Sequence, residues 1–115
     1  MKIPNFLALL PLMVAAETTY PMVFHKAPSP LSPDAVVEDW PRFFGPRDNC
    51  TSHESPLRKI FPKEGLPKVF ELARGDSYSS PILIAGKLLH FHAVASKETL
   101  DCHDAETGKR LWTFH

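Results

Sequence analysis

The sequence predicts an all-β fold that begins only after a leader and an irregular proline-rich stretch. Three observations predict it. From Pro67 onward, short runs rich in β-branched, aliphatic and aromatic residues are punctuated by turn residues, the pattern of strands joined tightly end to end. Asp104-Ala105-Glu106-Thr107-Gly108-Lys109-Arg110-Leu111-Trp112 reads as a polar turn feeding a strand that carries a large indole. Asp and Thr side chains hydrogen-bond the backbone two or three residues on, and Gly takes the positive-φ position that closes such a turn. A partial internal repeat sets Pro67-Lys68-Val69-Phe70 against Lys109-Arg110-Leu111-Trp112, with Phe70 at the place of Trp112.

Residues 1–16 read as a secretory signal peptide: Lys2, the apolar run Phe6 to Val14, then the small residues Ala15 and Ala16 at the cleavage positions. The run is shorter than the about 20 apolar residues a bilayer span needs. The alternative is a buried strand or helix of the mature chain; Pro11 and the terminal position favour export. No lipobox cysteine follows Ala16. A periplasmic or secreted location is therefore expected.

Residues 17–38 form a spacer. Pro21, Pro28, Pro30 and Pro33 lie among Ser and Ala without helical or strand period, so extended, poorly ordered backbone is expected. Residues 39–66 are an irregular entry segment. In Asp39-Trp40-Pro41-Arg42-Phe43-Phe44-Gly45-Pro46-Arg47 two prolines and a glycine forbid a regular helix or central strand. Its aromatic side chains nevertheless need cover, which predicts an ordered, packed loop.

Residues 67–115 carry the sheet. Lys68 to Leu72 is a short strand. Gly75-Asp76-Ser77 is a turn, and Tyr78-Ser79-Ser80-Pro81 leads into Ile82-Leu83-Ile84. Ala85-Gly86-Lys87 makes a hairpin, returning as Leu88 to Val94. Ser96-Lys97-Glu98 turns again, Thr99 to His103 is a third strand and Lys109 to Phe114 a fourth. Consecutive strands joined by tight turns make an antiparallel meander.

Charge and cysteine usage narrow the function. Lys plus Arg number 13 and Asp plus Glu number 13, with no basic run, so the electrostatic footprint of a nucleic-acid or anionic-membrane binder is absent. Cys50 and Cys102 either pair or stay free. Cys102 sits at an inward-facing strand position, where a free cysteine behaves as a small buried hydrophobe, and that reading is preferred. His90 and His92 share one face of their strand and His103 approaches them, a set that suits a transition metal. Two polar residues on a solvated strand face are the preferred alternative, and no metal ligand is assigned. Asn49-Cys50-Thr51 fits a glycosylation sequon and is taken as chance. No Ser/His/Asp spacing, phosphate loop or paired-cysteine motif is present.

The segment Cys102 to Trp112 resembles the repeat of the pyrroloquinoline-quinone-like (PQQ-like) β-propeller family, Ala-x-Asp-x-x-Thr-Gly-x-x-x-Trp, with Cys102 in place of the first Ala. Tyr78-Ser79-Ser80-Pro81-Ile82 is similar to the family's blade-opening Ser-Ser-Pro-Val. Trp40 to Pro46 is similar to the Trp-Pro-x-Phe-Arg-Gly-Pro that opens secreted bacterial members, with Phe44 in place of Arg. The resemblance implies a β-propeller fragment: Pro67 to Ala73 as a closing strand and Ser79 to His115 as the first four-stranded blade. It implies structural roles for Asp104, Thr107 and Gly108 in the turn, for Trp112 between blades, and for Trp40, Phe43 and Pro46 as anchors of the entry loop.

An indole buries on the order of 200 Å² only where a neighbouring surface exists, and one four-stranded sheet is marginal alone. The expected partners are therefore the remaining blades of a longer chain, and this sequence is expected to be its N-terminal fragment. A complete small secreted β protein is a third, weaker reading. Another protein or a polysaccharide is the further kind of partner that a binding or scaffold module implies, as in the outer-membrane assembly lipoprotein. Neither nucleic acid nor a membrane span in the mature chain is expected. The alternative is the N-terminal part of a PQQ-dependent alcohol or sugar dehydrogenase, for which the resemblance implies PQQ and calcium as cofactors. Such enzymes often carry an adjacent Cys-Cys pair, which this chain lacks. No catalytic or cofactor-binding residue is assigned, since a shared repeat does not carry a shared activity.

Overall fold

In the computed structural model, which describes residues 21–115, the chain is all-β, with antiparallel sheets of two and four strands. The expected signal peptide and the first residues of the spacer lie outside the described residues. The elements in order are β1 (Met22–Phe24), β2 (Phe70–Leu72), β3 (Ile82–Ile84), β4 (Lys87–Val94), β5 (Lys97–Asp104) and β6 (Arg110–Phe114). No helix among the described residues is long and apolar enough to cross a membrane.

The larger sheet is a meander in the order β3-β4-β5-β6. Two-residue turns make it possible. Ala85 (φ 47°) and Gly86 (φ 70°) join β3 to β4, and Ala95 (φ 48°) and Ser96 (φ 65°) join β4 to β5. Left-handed backbone at both central positions matches the right-handed twist of the flanking strands. The β4–β5 turn therefore lies at Ala95-Ser96, and β5 begins two residues earlier than the sequence suggested. The β5–β6 connection is the Asp104 to Lys109 turn, and a register shift between Cys102 and His103 bends the sheet beside it.

Met22 to Phe24 is extended, as expected of the spacer, but ordered as a strand rather than poorly ordered. It pairs antiparallel with β2, Met22 opposite Leu72 and Phe24 opposite Phe70. A three-residue strand between prolines has no period to read; only a partner 46 or more residues away makes it a strand. The expected closing strand is thus one half of a small ribbon with β1. On the ribbon's other face Glu71 accepts from His25 at 2.8 Å and meets the Lys68 ammonium.

The register gives the meander two unlike faces. One carries Leu88, His90, His92 and Val94 of β4, Thr99, Asp101 and His103 of β5, and Thr113 of β6. The other carries Ile82, Ile84, Leu89, Phe91, Leu100, Cys102, Trp112 and Phe114. Alternation usually turns the apolar face inward. Here the polar face is covered: His92 is 2% exposed, Asp101 6% and His103 7%. On the apolar face Phe91, Trp112 and Phe114 are exposed, while Cys102 is fully buried and free.

Two flanking segments partly dress the sheet edges. Trp40 exchanges backbone hydrogen bonds with Leu83 on β3 (2.7 and 3.0 Å), and Asp76 with Ala93 at the end of β4 (3.2 and 2.7 Å). The outer edge of β6 has no strand partner among the described residues.

Candidate functional site

The residues singled out from the sequence fall at three places. In the turn before β6, Asp104 Oδ1 accepts from the Thr107 backbone N–H (2.8 Å), the Thr107 hydroxyl (2.7 Å) and the Glu106 N–H (3.2 Å). The Thr107 hydroxyl, followed by these backbone donors, holds the Asp104 carboxyl below the usual range. Gly108 (φ 74°) is buried, and a Cβ there would stand 2.6 Å from the Phe70 ring and 3.0 Å from Met22 Sδ. The turn is therefore also a seat for the β1/β2 ribbon. Gly108→Val combines left-handed strain with a clash and should cost about 2–4 kcal/mol. Thermal melting checks this, and Phe70→Ala in the same chain should restore only the steric part.

In the entry loop the Trp40 indole lies against Gly45 (φ 80°), where a Cβ would stand 2.7 Å from the ring. The Pro46 carbonyl accepts from Arg42 at 2.6 Å. Phe43 is 64% exposed and meets Phe44 edge-on at 4.9 Å. Glu38, absent from the sequence-based reading, organises the segment behind this loop. It takes both Arg47 guanidinium nitrogens at 2.8 Å and the His53 N–H at 2.7 Å. Arg47 first, then that backbone donor, holds its carboxyl at about 2. Trp112 stands opposite Cys102 on β6 and is 44% exposed.

The third place is the histidine face, and here the solvated-face reading is corrected. The segment after β2 and the β1/β2 ribbon cover it, so its polar atoms must find partners within the protein. The Gly75 N–H donates to His92 Nδ1 (2.9 Å), which puts the imidazole proton on Nε2. That proton goes to Asp101 Oδ2 (2.9 Å), and the Thr113 hydroxyl donates to Oδ1. His103 Nδ1 donates to the Gly108 carbonyl (3.0 Å). His90 stacks on His92 with ring centres 4.4 Å apart. Asp101, which the sequence suggests as a solvated charge at a strand end, is instead 6% exposed; Gly75 was expected only as a turn residue, and Thr113 was not singled out. The signal for Asp101 was present in the alternation, which sets it directly opposite His90 once β4 and β5 are aligned.

Burial first, then the neighbouring His92, pushes the His90 imidazole below its ordinary value, with Asp101 opposing. Burial would raise the Asp101 carboxyl, but the Thr113 hydroxyl and His92 outweigh it and hold it low. Both folded values lie below the unfolded ones, so both contributions are complete at neutral pH and fade as pH falls. Stability should begin to decline below about pH 6.5, where unfolded imidazole binds a proton, and again below about pH 4 as Asp101 protonates. Urea midpoints measured across this range should show both steps, and His90→Gln should flatten the first.

Among the described residues no three His, Cys, Asp or Glu side chains converge in a metal-holding arrangement. Compared with known proteins, the chain matches no family model, no curated protein and no solved structure.

Proposed function

We propose that this chain supplies a blade-like sheet of an exported repeat protein of the PQQ-like propeller type, acting as a binding or scaffold module. The observation that carries the reading is the uncovered apolar face of the meander. Ile84, Phe91, Trp112 and Phe114 are each 42% exposed or more, although the opposite, polar face is covered. A face of this composition stabilises the protein only when another surface removes it from water, at roughly 25 cal/mol per Å². Stacked blades provide such surfaces repeatedly, each sheet covering the next. The short turns support the same reading, because they keep the strands in one meander. The braced turn at Asp104 fixes the entry to β6, the strand that bears Trp112.

The test is self-association. Sedimentation velocity on the 115-residue chain should show concentration-dependent assembly, and Trp112→Glu with Phe114→Glu should return the monomer with the far-UV spectrum unchanged. A parent chain that stays monomeric, with Trp112 emission already that of a buried indole, removes the docking face and the reading with it.

A further inference from the structure

A cavity of about 210 Å³ lies between the β1/β2 ribbon and the histidine face, lined by Met22, Leu72 and Ala73 on one side and His90, Asp101, His103, Lys109 and Arg110 on the other, with Gly108 between. The volume equals roughly seven water molecules' share of the liquid.

His103 is 7% exposed. Its Nδ1–H is committed to the Gly108 carbonyl, so Nε2 presents a lone pair and takes no hydrogen bond within the described residues. His90, 9% exposed, likewise makes no hydrogen bond there and only stacks on His92. Among the described residues no side-chain nitrogen or oxygen is both sealed from solvent and unpaired, so the free nitrogens of His90 and His103, which line the cavity, are open to solvent. Arg110 and Lys109 both line the cavity and form no ion pair or side-chain hydrogen bond among the described residues, although the Lys109 charge acts on the Asp104 carboxylate of the neighbouring turn. The single acid of the lining, Asp101, has one oxygen taken by His92 and the other by Thr113. The cavity therefore offers positive charge led by Arg110, an accessible acceptor at His103 Nε2, and an apolar wall.

We propose that this cavity binds a small hydroxycarboxylate with an apolar body. The carboxylate faces Arg110 and Lys109, the hydroxyl donates to His103 Nε2, and the body lies against Met22, Leu72 and Ala73. A cationic ligand is disfavoured by the same two side chains. A metal ion lacks a third converging ligand among the described residues. The site lies on the face opposite Trp112, so it stands or falls independently of the blade reading.

The test is a proton NMR titration of the full chain with mandelate, following the imidazole Cε1–H signals assigned through His90→Gln and His103→Gln. Saturable shifts are expected at His90 and His103, with His53, which is exposed and outside the cavity lining, unmoved. Phenylacetate, which lacks the hydroxyl, should bind about tenfold more weakly, and Arg110→Gln should weaken mandelate by a similar factor. Arg110 is exposed, so that variant should melt with the parent. Shifts that fail to saturate, equal affinity for the two acids, or indifference to Arg110→Gln would each overturn the assignment. Tight capture of zinc chloride by His90 and His103 without any response to mandelate would replace it with a metal site.

Discussion

Replacing Asp101 with alanine is expected to remove about 3–5 kcal/mol of stability, as loss of one member of a buried pair does. The carboxylate is the common acceptor for two donors on different strands, His92 Nε2–H of β4 and the Thr113 hydroxyl of β6. Without it both donors stay buried and unpaired, at about 1–3 kcal/mol each. His92 cannot adjust by turning its ring, because its Nδ1 already accepts from Gly75. Asp101→Asn should be milder and still destabilising. Its amide has one acceptor oxygen for two donors, and its NH2 faces one of them. Urea denaturation measures both variants, and a double-mutant cycle with Thr113→Val should return a coupling of about 1 kcal/mol or more. An alanine variant within about 0.5 kcal/mol of the parent, the range of ordinary surface changes, would show that the network contributes little.

Gly75→Ala is expected to cost about 3 kcal/mol or to prevent folding, by overpacking against backbone and loss of hydrogen bonds. A Cβ there would stand 1.9 Å from the Ala93 carbonyl oxygen and 2.8 Å from its carbon. No rotamer relieves a clash with main chain, so the segment must lift. Lifting breaks the Asp76–Ala93 pair and withdraws the N–H that fixes the His92 tautomer. Gly65→Ala is the control: its φ is 88° but a Cβ would meet nothing within 4 Å, so only left-handed strain of about 1–2 kcal/mol applies. Equal melting temperatures for the two variants would refute the close approach.

Strand positions in the second half were legible because each run is bounded by turn residues. Ile82–Ile84 lies where the sequence put it. What escaped has physical reasons. β1 exists through pairing with a segment far along the chain, and three residues cannot show a period. The covering of the histidine face escaped because alternation reveals which residues share a face, never which face is covered. A polar row of His90, His92 and Asp101 looks like a wet surface until a ribbon is laid across it. The braced turn was readable from Asp104 and Thr107 alone, since its bonds are local. The seating of Phe70 on Gly108 was not.

The outer side of β6 has a further consequence. From Arg110 to Phe114 its outward amides and carbonyls have no strand partner among the described residues, along a stretch that also presents Trp112 and Phe114. An unprotected margin of this kind templates the next chain, so warming a concentrated solution should seed fibrillar growth from this strand rather than amorphous precipitate. Lys109 and Arg110 guard only its first end. Phe114→Lys, at the exposed far end of the strand, should suppress that growth.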